Sequence, residues 1–187
     1  MKIIPGKGQC TVSNQNNIPT ITDNQVANVR RAAIEQRAVW AAMFYLEAKA
    51  DGIDLEPIMR RAIHKIGFAS GKQELEDLGG QVTAGQYARY FAARGVPESS
   101  EKKLVEDGEA ESRVHLCYCP LLTAWRKLGL DDETCALLCD IAMEGDRGTA
   151  EALGLDLELG DTLAKGGCCC QLCFRNKQGI TPGEANT

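Results

Sequence analysis

The stretch from Leu155 to Arg175 admits few folds. Residues 155–163 read Leu-Asp-Leu-Glu-Leu-Gly-Asp-Thr-Leu, the two-residue alternation of a strand buried on one face. Lys165-Gly166-Gly167 is a turn signal, and Cys168 to Arg175 reads as the returning strand. Side-chain parity then selects the pairing. A two-residue loop at Lys165-Gly166 sets Leu163 opposite Cys168, Asp161 opposite Cys170, Leu159 opposite Leu172 and Leu157 opposite Phe174. Every apolar residue of both strands then shares one face. A slip of one residue would instead set Cys169, Gln171 and Cys173 against the leucines. In the first register Cys168, Cys170 and Asp161 face inward, while Cys169 and Cys173 face outward.

Upstream the pattern is helical. A long helix is expected from an N-cap at Thr22 or Asp23 to about Ala50. Val26, Val29, Ala33, Trp40, Phe44 and Glu47 mark its spacing, with Arg30, Arg31, Glu35 and Arg37 on the wetter side. A second helix starts at Asp54, tolerates Pro57 in its first turn and stops before Gly71; its apolar face is Ile58, Met59, Ala62, Ile63 and Ile66. A third spans Thr83 to Arg94 with Tyr87, Tyr90 and Phe91 as its stripe, and the charged segment 97–111 is expected to be part helix, part loop. Arg113 to Cys119 alternates as a strand, Pro120 opens a short helix that ends at Gly129, and Asp131 or Asp132 caps the helix carrying Cys135, Leu138, Cys139 and Ile141.

These elements predict an α+β protein: a helical N-terminal half packed on a small antiparallel sheet that ends in a Cys-rich hairpin. Residues 1–21 read as a flexible arm, 22–112 as the helical region, 113–176 as the strand–helix–helix–hairpin region of the same domain, and 177–187 as a flexible tail.

Eight of the nine cysteines lie between Cys117 and Cys173. The N-terminus has no apolar signal segment, and the longest apolar run, Ala38 to Leu46, is far too short to span a bilayer. The expectation is therefore a cytoplasmic chain with reduced thiols. The net charge of −5, with basic residues scattered among acidic ones, disfavours nucleic acid. Expected partners are a small-molecule substrate or ligand, with neither nucleic acid nor membrane, and a homo-oligomer is left open.

Reduced thiols at this density point to nucleophilic chemistry, metal binding or small-residue packing. Cys119 precedes Pro120 at a helix start, where the positive end of the helix favours a thiolate. Cys170 sits in a strand beside apolar residues, where burial raises a thiol pKa. His115 shares the strand face of Cys117 and Cys119, but residues four apart on a strand are roughly 13 Å distant, so it suits Cys117 better than Cys119. An inward Asp161 would need a partner. His64 reads as a half-exposed helix residue. For metal, the ligand candidates are Cys117, Cys119, Cys135, Cys139, Cys168, Cys169, Cys170 and Cys173, with a soft metal or an iron–sulfur cluster as the cofactor such thiols could take. Only Cys135 and Cys139, four apart on one helix, obviously share a face, and no second Cys-x-x-Cys supports a zinc ribbon.

Several of these motifs resemble the L-2-amino-thiazoline-4-carboxylic acid hydrolase family. The resemblance rests on Cys119-Pro120-Leu121 with Trp125, Gly129-Leu130, Cys139-Asp140, and Thr162-Leu163 through Gly166 to Cys170 and Leu172. The stretch from Ala62 to Gly71 is similar to the helical half of that family. The hairpin also resembles the C-terminal part of small-molecule-binding domains of the 4-vinyl-reductase type. What the family resemblance implies is hydrolytic opening of a small cyclic C–N bond in an amino-thiazoline or related cyclic amidine, giving a carbamoyl-cysteine. A cysteine nucleophile from Cys119 and Cys170 is then expected, with Asp161 and His115 assisting and Asp140 and Trp125 beside the substrate. Cys117, Cys135, Cys168, Cys169 and Cys173 are additional to that pattern. The alternative reading is a non-catalytic thiol-rich protein that binds a soft metal, a cluster or a small ligand.

Overall fold

The computed structural model describes residues 17–177. Its elements run α1 (Gln25–Ala50), α2 (Glu56–Asp77), α3 (Ala84–Ala93), β1 (Lys102–Asp107), β2 (Glu111–Leu116), α4 (Pro120–Lys127), α5 (Asp132–Ala142), α6 (Glu144–Ala152), β3 (Leu155–Leu159) and β4 (Cys170–Asn176). The four strands form one antiparallel sheet in the order β1-β2-β4-β3. The α+β architecture is the one expected. Three helices come first, and three more interrupt the sheet between β2 and β3.

The hairpin register holds. Leu157 pairs with Phe174 and Leu159 with Leu172, and β4 pairs on its other side with β2, Val114 meeting Leu172 and Leu116 meeting Cys170. Val114, Leu172 and Phe174 are buried on the inner face. There Phe174 meets the rings of Tyr87 and Phe91 edge-on, at centroid distances of 5.0 and 5.6 Å. Those two rings come from α3, whose start is secured by a Thr83–Gln86 capping box.

The tip of the hairpin departs from expectation. The chain leaves the ladder after Gly160 and Asp161 pair with Gln171, and residues 163–165 form a 3₁₀ turn that ends at Gly166 with a left-handed φ of 81°. Leu163 and Ala164 plug into the core through this turn, an outcome a two-residue loop would forbid. Asp161 is consequently exposed, not inward, and the buried polar neighbour is Thr162. Cys169 is also fully buried despite its expected outward parity, because it lies in the tip and not in a strand.

Segment 97–111 is mostly strand. A short 3₁₀ turn at 97–99 is followed by β1, an edge strand whose only apolar residues are Leu104 and Val105, too few for an alternation to show. The strand expected from Arg113 to Cys119 ends at Leu116, because Cys119 already caps α4. The expected helical region 22–112 thus contains β1 and the first residues of β2.

Apolar periodicity does not mark the inward face of α1 and marks that of α2 only in part, since Met59 and Ile63 of the expected face pack against the core. In α1, Val26, Val29, Trp40 and Phe44 are exposed, while Ala27, Arg31, Ala38 and Ala42 are buried. Small residues let α1 lie close to α4, where the Trp125 indole N–H donates to the Ala38 carbonyl at 3.1 Å. Arg31 is sustained inside by the carbonyls of Ile21, Glu98 and Ser99 and by Glu101. Nor does α2 stop before Gly71; it continues to Asp77 with Gly67, Gly71 and Glu74 buried and Ile58 and Ile66 exposed. Its glycines cross α6 with backbones nearly touching. A Cβ on Gly67 would stand 1.9 Å from the Gly145 carbonyl oxygen, and one on Gly148 would stand 2.2 Å from that of His64.

Of the expected flexible arm, residues 1–16 lie outside the described residues, as does all of the expected tail but residue 177. Residues 17–21 are tied down. The Thr20 and Ile21 backbone N–H groups donate to the Glu101 carboxylate, and Asn17 is buried against α4.

Candidate functional site

Two cysteines meet in the interior, and a third lies within reach of their charge, each from a different element. Cys119 is the N-cap of α4, with its sulfur accepting the Leu122 N–H at 3.5 Å. Cys139 comes from the third turn of α5 and Cys170 from the first residue of β4, opposite Leu116. The Cys139 and Cys170 side chains meet, and Cys119 lies close enough to act on Cys170 by charge and to be acted on by Cys139. The Leu163 N–H donates to the Cys170 sulfur at 3.4 Å. The Thr162 hydroxyl is buried without a partner of regular geometry, and the group it faces is the Cys139 sulfur.

Burial and hydrogen bonding divide the three thiols. Cys119 has the helix N-terminus that was expected to activate it, yet loss of solvent outweighs the backbone N–H groups and pushes its pKa up to about 12. The expectation that the helix start favours a Cys119 thiolate is therefore corrected: a helix end is worth too little against removal of a bare thiolate from water. Cys139 goes the other way. The Cys170 S–H, with the Thr162 hydroxyl second, holds the Cys139 thiol below its ordinary value against the cost of burial. Cys170, bound to Cys139 and desolvated, is raised well above it. Of the two sulfurs, Cys139 is therefore the one on which negative charge is the better supported.

Asn17 positions Cys119. Its amide donates to the Cys119 carbonyl at 2.8 Å and to the Thr123 hydroxyl at 2.9 Å, and its side-chain oxygen accepts the Cys119 N–H at 2.8 Å. It does so from a left-handed φ of 53°, a conformation asparagine tolerates better than most residues. Neither Asn17 nor Thr162 was legible as a site residue. Asn17 sits in a polar run without periodicity, and Thr162 looked like one polar position in an alternating strand.

The other expected residues lie elsewhere. Trp125 is buried in the core with its N–H committed to Ala38, so it is not free to contact a substrate. Asp140 follows Cys139 on α5 but turns outward to Arg60 and Arg147, and burial is overcome by those two guanidinium groups, which hold its carboxyl below the usual range. His115 is on the outer face of the sheet, where burial lowers its pKa and Glu106, Arg113 and Lys103 are its charged neighbours. His64 is the half-exposed helix residue expected, beside Glu151 at 3.2 Å.

The remaining thiols disperse. Cys135 donates to the Leu130 carbonyl at 3.8 Å. Cys173 faces outward as its parity demanded, but it is covered by Glu111, Arg113 and Arg175. There the hydrogen bonds from Arg175 and Arg113 take the Glu111 carboxyl down to about 2. Cys117 and Cys168 are partly exposed. The eight cysteines among the described residues form no disulfide with one another. Among those residues no three histidine, cysteine, aspartate or glutamate side chains are gathered closely enough to hold a metal ion. Among the described residues no helix is long and apolar enough to cross a membrane.

Residues 31–174 match the family model described as L-2-amino-thiazoline-4-carboxylic acid hydrolase. No curated protein sequence matches the chain. A solved structure of trafficking protein particle complex subunit 3 from Naegleria fowleri, covalently bound to palmitic acid, is 13% identical, with 79% of this chain and 97% of that one covered and a TM-score of 0.44.

Proposed function

Because the chain belongs to the L-2-amino-thiazoline-4-carboxylic acid hydrolase family, we propose that it hydrolyses a small cyclic amidine of the amino-thiazoline class, using the Cys139–Cys170 pair as nucleophile and proton carrier. The observation that supports this reading is the convergence of Cys139, Cys170 and Thr162, from three separate segments, on one buried point beside Cys119. A thiolate there is stabilised by a neighbouring S–H, which is also the nearest proton donor.

The chemistry follows from the amidine carbon, which is electrophilic. The Cys139 thiolate adds to that carbon and forms a C–S bond. The tetrahedral adduct collapses by breaking one ring bond at the same carbon, and the departing heteroatom takes the Cys170 proton. Water then attacks the carbon and expels the Cys139 sulfur. It leaves its oxygen as the carbamoyl group, and its remaining proton returns to the thiol pair. The sum is one water added and one ring bond broken.

Turnover of L-2-amino-thiazoline-4-carboxylate, read as release of carbamoyl-cysteine, tests the proposal. Cys139→Ser is expected to abolish it with the far-UV spectrum unchanged, and Cys119→Ser to leave a measurable rate. Iodoacetamide at mildly acidic pH should modify Cys139 ahead of Cys119, because only the thiolate reacts. Full activity in Cys139→Ser removes that residue as nucleophile. A stoichiometric metal that survives dialysis of protein purified without oxygen would favour the thiol-rich binding protein instead.

A further inference from the structure

The outer face of α1 is too apolar for a surface left in water. Val26, Val29, Trp40 and Phe44 are each 64–65% exposed and Met43 is 41% exposed. From typical side-chain areas these five leave about 600 Å² of apolar surface uncovered, at the upper end of what a monomer shows. That is most of the roughly 800 Å² per partner of a standard interface. Trp40, Met43, Phe44 and Glu47 border an open apolar notch in this face.

The order of residues along the face says what covers it. Arg30, Ala33, Arg37, Trp40, Phe44 and Glu47 are all exposed, and their spacing alternates three and four, the seam of a helix pair. Laid antiparallel on a second copy of itself, this row matches at every position. Arg30 meets Glu47, Ala33 lies under Phe44, and Arg37 stacks on Trp40. One ion pair, one small-against-large contact and one cation–π contact therefore each occur twice about a two-fold axis. The row from Arg30 to Glu47 spans about 26 Å of helix. A parallel pairing would set each arginine against its own copy and Glu47 against Glu47.

We propose that two copies of this chain associate through α1, antiparallel, with Arg30–Glu47, Ala33–Phe44 and Arg37–Trp40 as the contacts that set the register. The inner face of α1 is occupied by α4, so the dimer leaves each subunit's fold unchanged.

Sedimentation equilibrium on the full chain at micromolar concentration should give twice the chain mass. Trp40→Glu with Phe44→Glu should be a monomer with an unchanged far-UV spectrum, because both side chains are exposed in the single chain. Glu47→Arg should weaken association at least tenfold, and Arg30→Glu added to it should restore association. Iodide should quench little tryptophan emission in the wild type and much more in Glu47→Arg. A wild-type chain that is monomeric at 100 µM overturns the proposal, whether its Trp40 is open to iodide or shielded by the chain's own N-terminal residues. A dimer that persists in Trp40→Glu with Phe44→Glu overturns it too, and places association on another face. If the charge exchange fails to restore association, the antiparallel register is wrong.

Discussion

The two long helices both present isoleucine, valine or aromatic side chains to the outside, but their inner contacts are built differently. Helix α2 meets α6 backbone to backbone, through Gly67, Gly71 and Gly148, where one added carbon would collide with a carbonyl. Helix α1 meets α4 through Ala38 and Ala42 and closes its N-terminal half around a buried guanidinium, Arg31. The first contact gains its stability from dispersion at close approach and tolerates nothing larger than hydrogen. The second depends on polar satisfaction, because Arg31 would be costly to bury without the carbonyls and the carboxylate that surround it. Close packing by small residues thus leaves several large apolar side chains at the surface of both helices. On α2 they are scattered, and on α1 they form a row.

This contrast can be broken first at the glycine crossing. Gly67→Val should cost about 5 kcal/mol, enough to leave the chain largely unfolded, since the Gly145 carbonyl it would strike is backbone and cannot turn aside. Circular dichroism and urea unfolding measure it. At the polar contact, Arg31→Met should cost about 3 kcal/mol in the same assay, because three carbonyls lose their donor and the buried Glu101 loses its counter-charge.

A smaller effect sharpens the comparison through pH. Asp146, next to Gly145 in the crossing helix, is desolvated, and its carboxyl rises from 3.8 to about 6 despite the nearby Arg94 and Lys102. The folded state therefore binds this proton more tightly than the unfolded chain, and the associated stability is lost as pH rises from about 4 through 6. Asp146→Asn should accordingly raise Tm by several degrees at pH 7.5 and by clearly less at pH 4.5, as read by thermal melts at both values. The smallest effect belongs to the outward side of α2. Ile66→Ser should change stability by less than about 0.5 kcal/mol, although Ile66 looks like a core residue by its spacing. A large loss there would mean that the exposed side of α2 is covered.

The site was legible in pieces. Cys119 followed by Pro120 marks a helix start, and the structure places Cys119 at the N-cap of α4 as that pair demands. Parity put Cys170 and Leu172 on successive inward positions of β4, and both are buried there. The proposed assignment of the nucleophile to Cys139 was not legible. It turns on the S–H of one segment reaching the sulfur of another, and on Thr162 entering the interior when the hairpin tip folds into a 3₁₀ turn. Asp161 was misplaced for the same reason: beyond Gly160 the chain stops alternating in space while its residues continue to alternate in type.

By itself, the sequence determined everything that depends on near neighbours along the chain. The two-residue period sets the β3–β4 register, Thr83 with Gln86 starts α3, and Asp131 caps α5. Tertiary structure decided which side of each long helix faces inward, because close approach selects small residues and overrides the apolar stripe. It also decided which thiol is acidic. Desolvation and hydrogen bonding at a sulfur depend on the segments folded over it, and for Cys139 those segments lie more than twenty residues further along the chain.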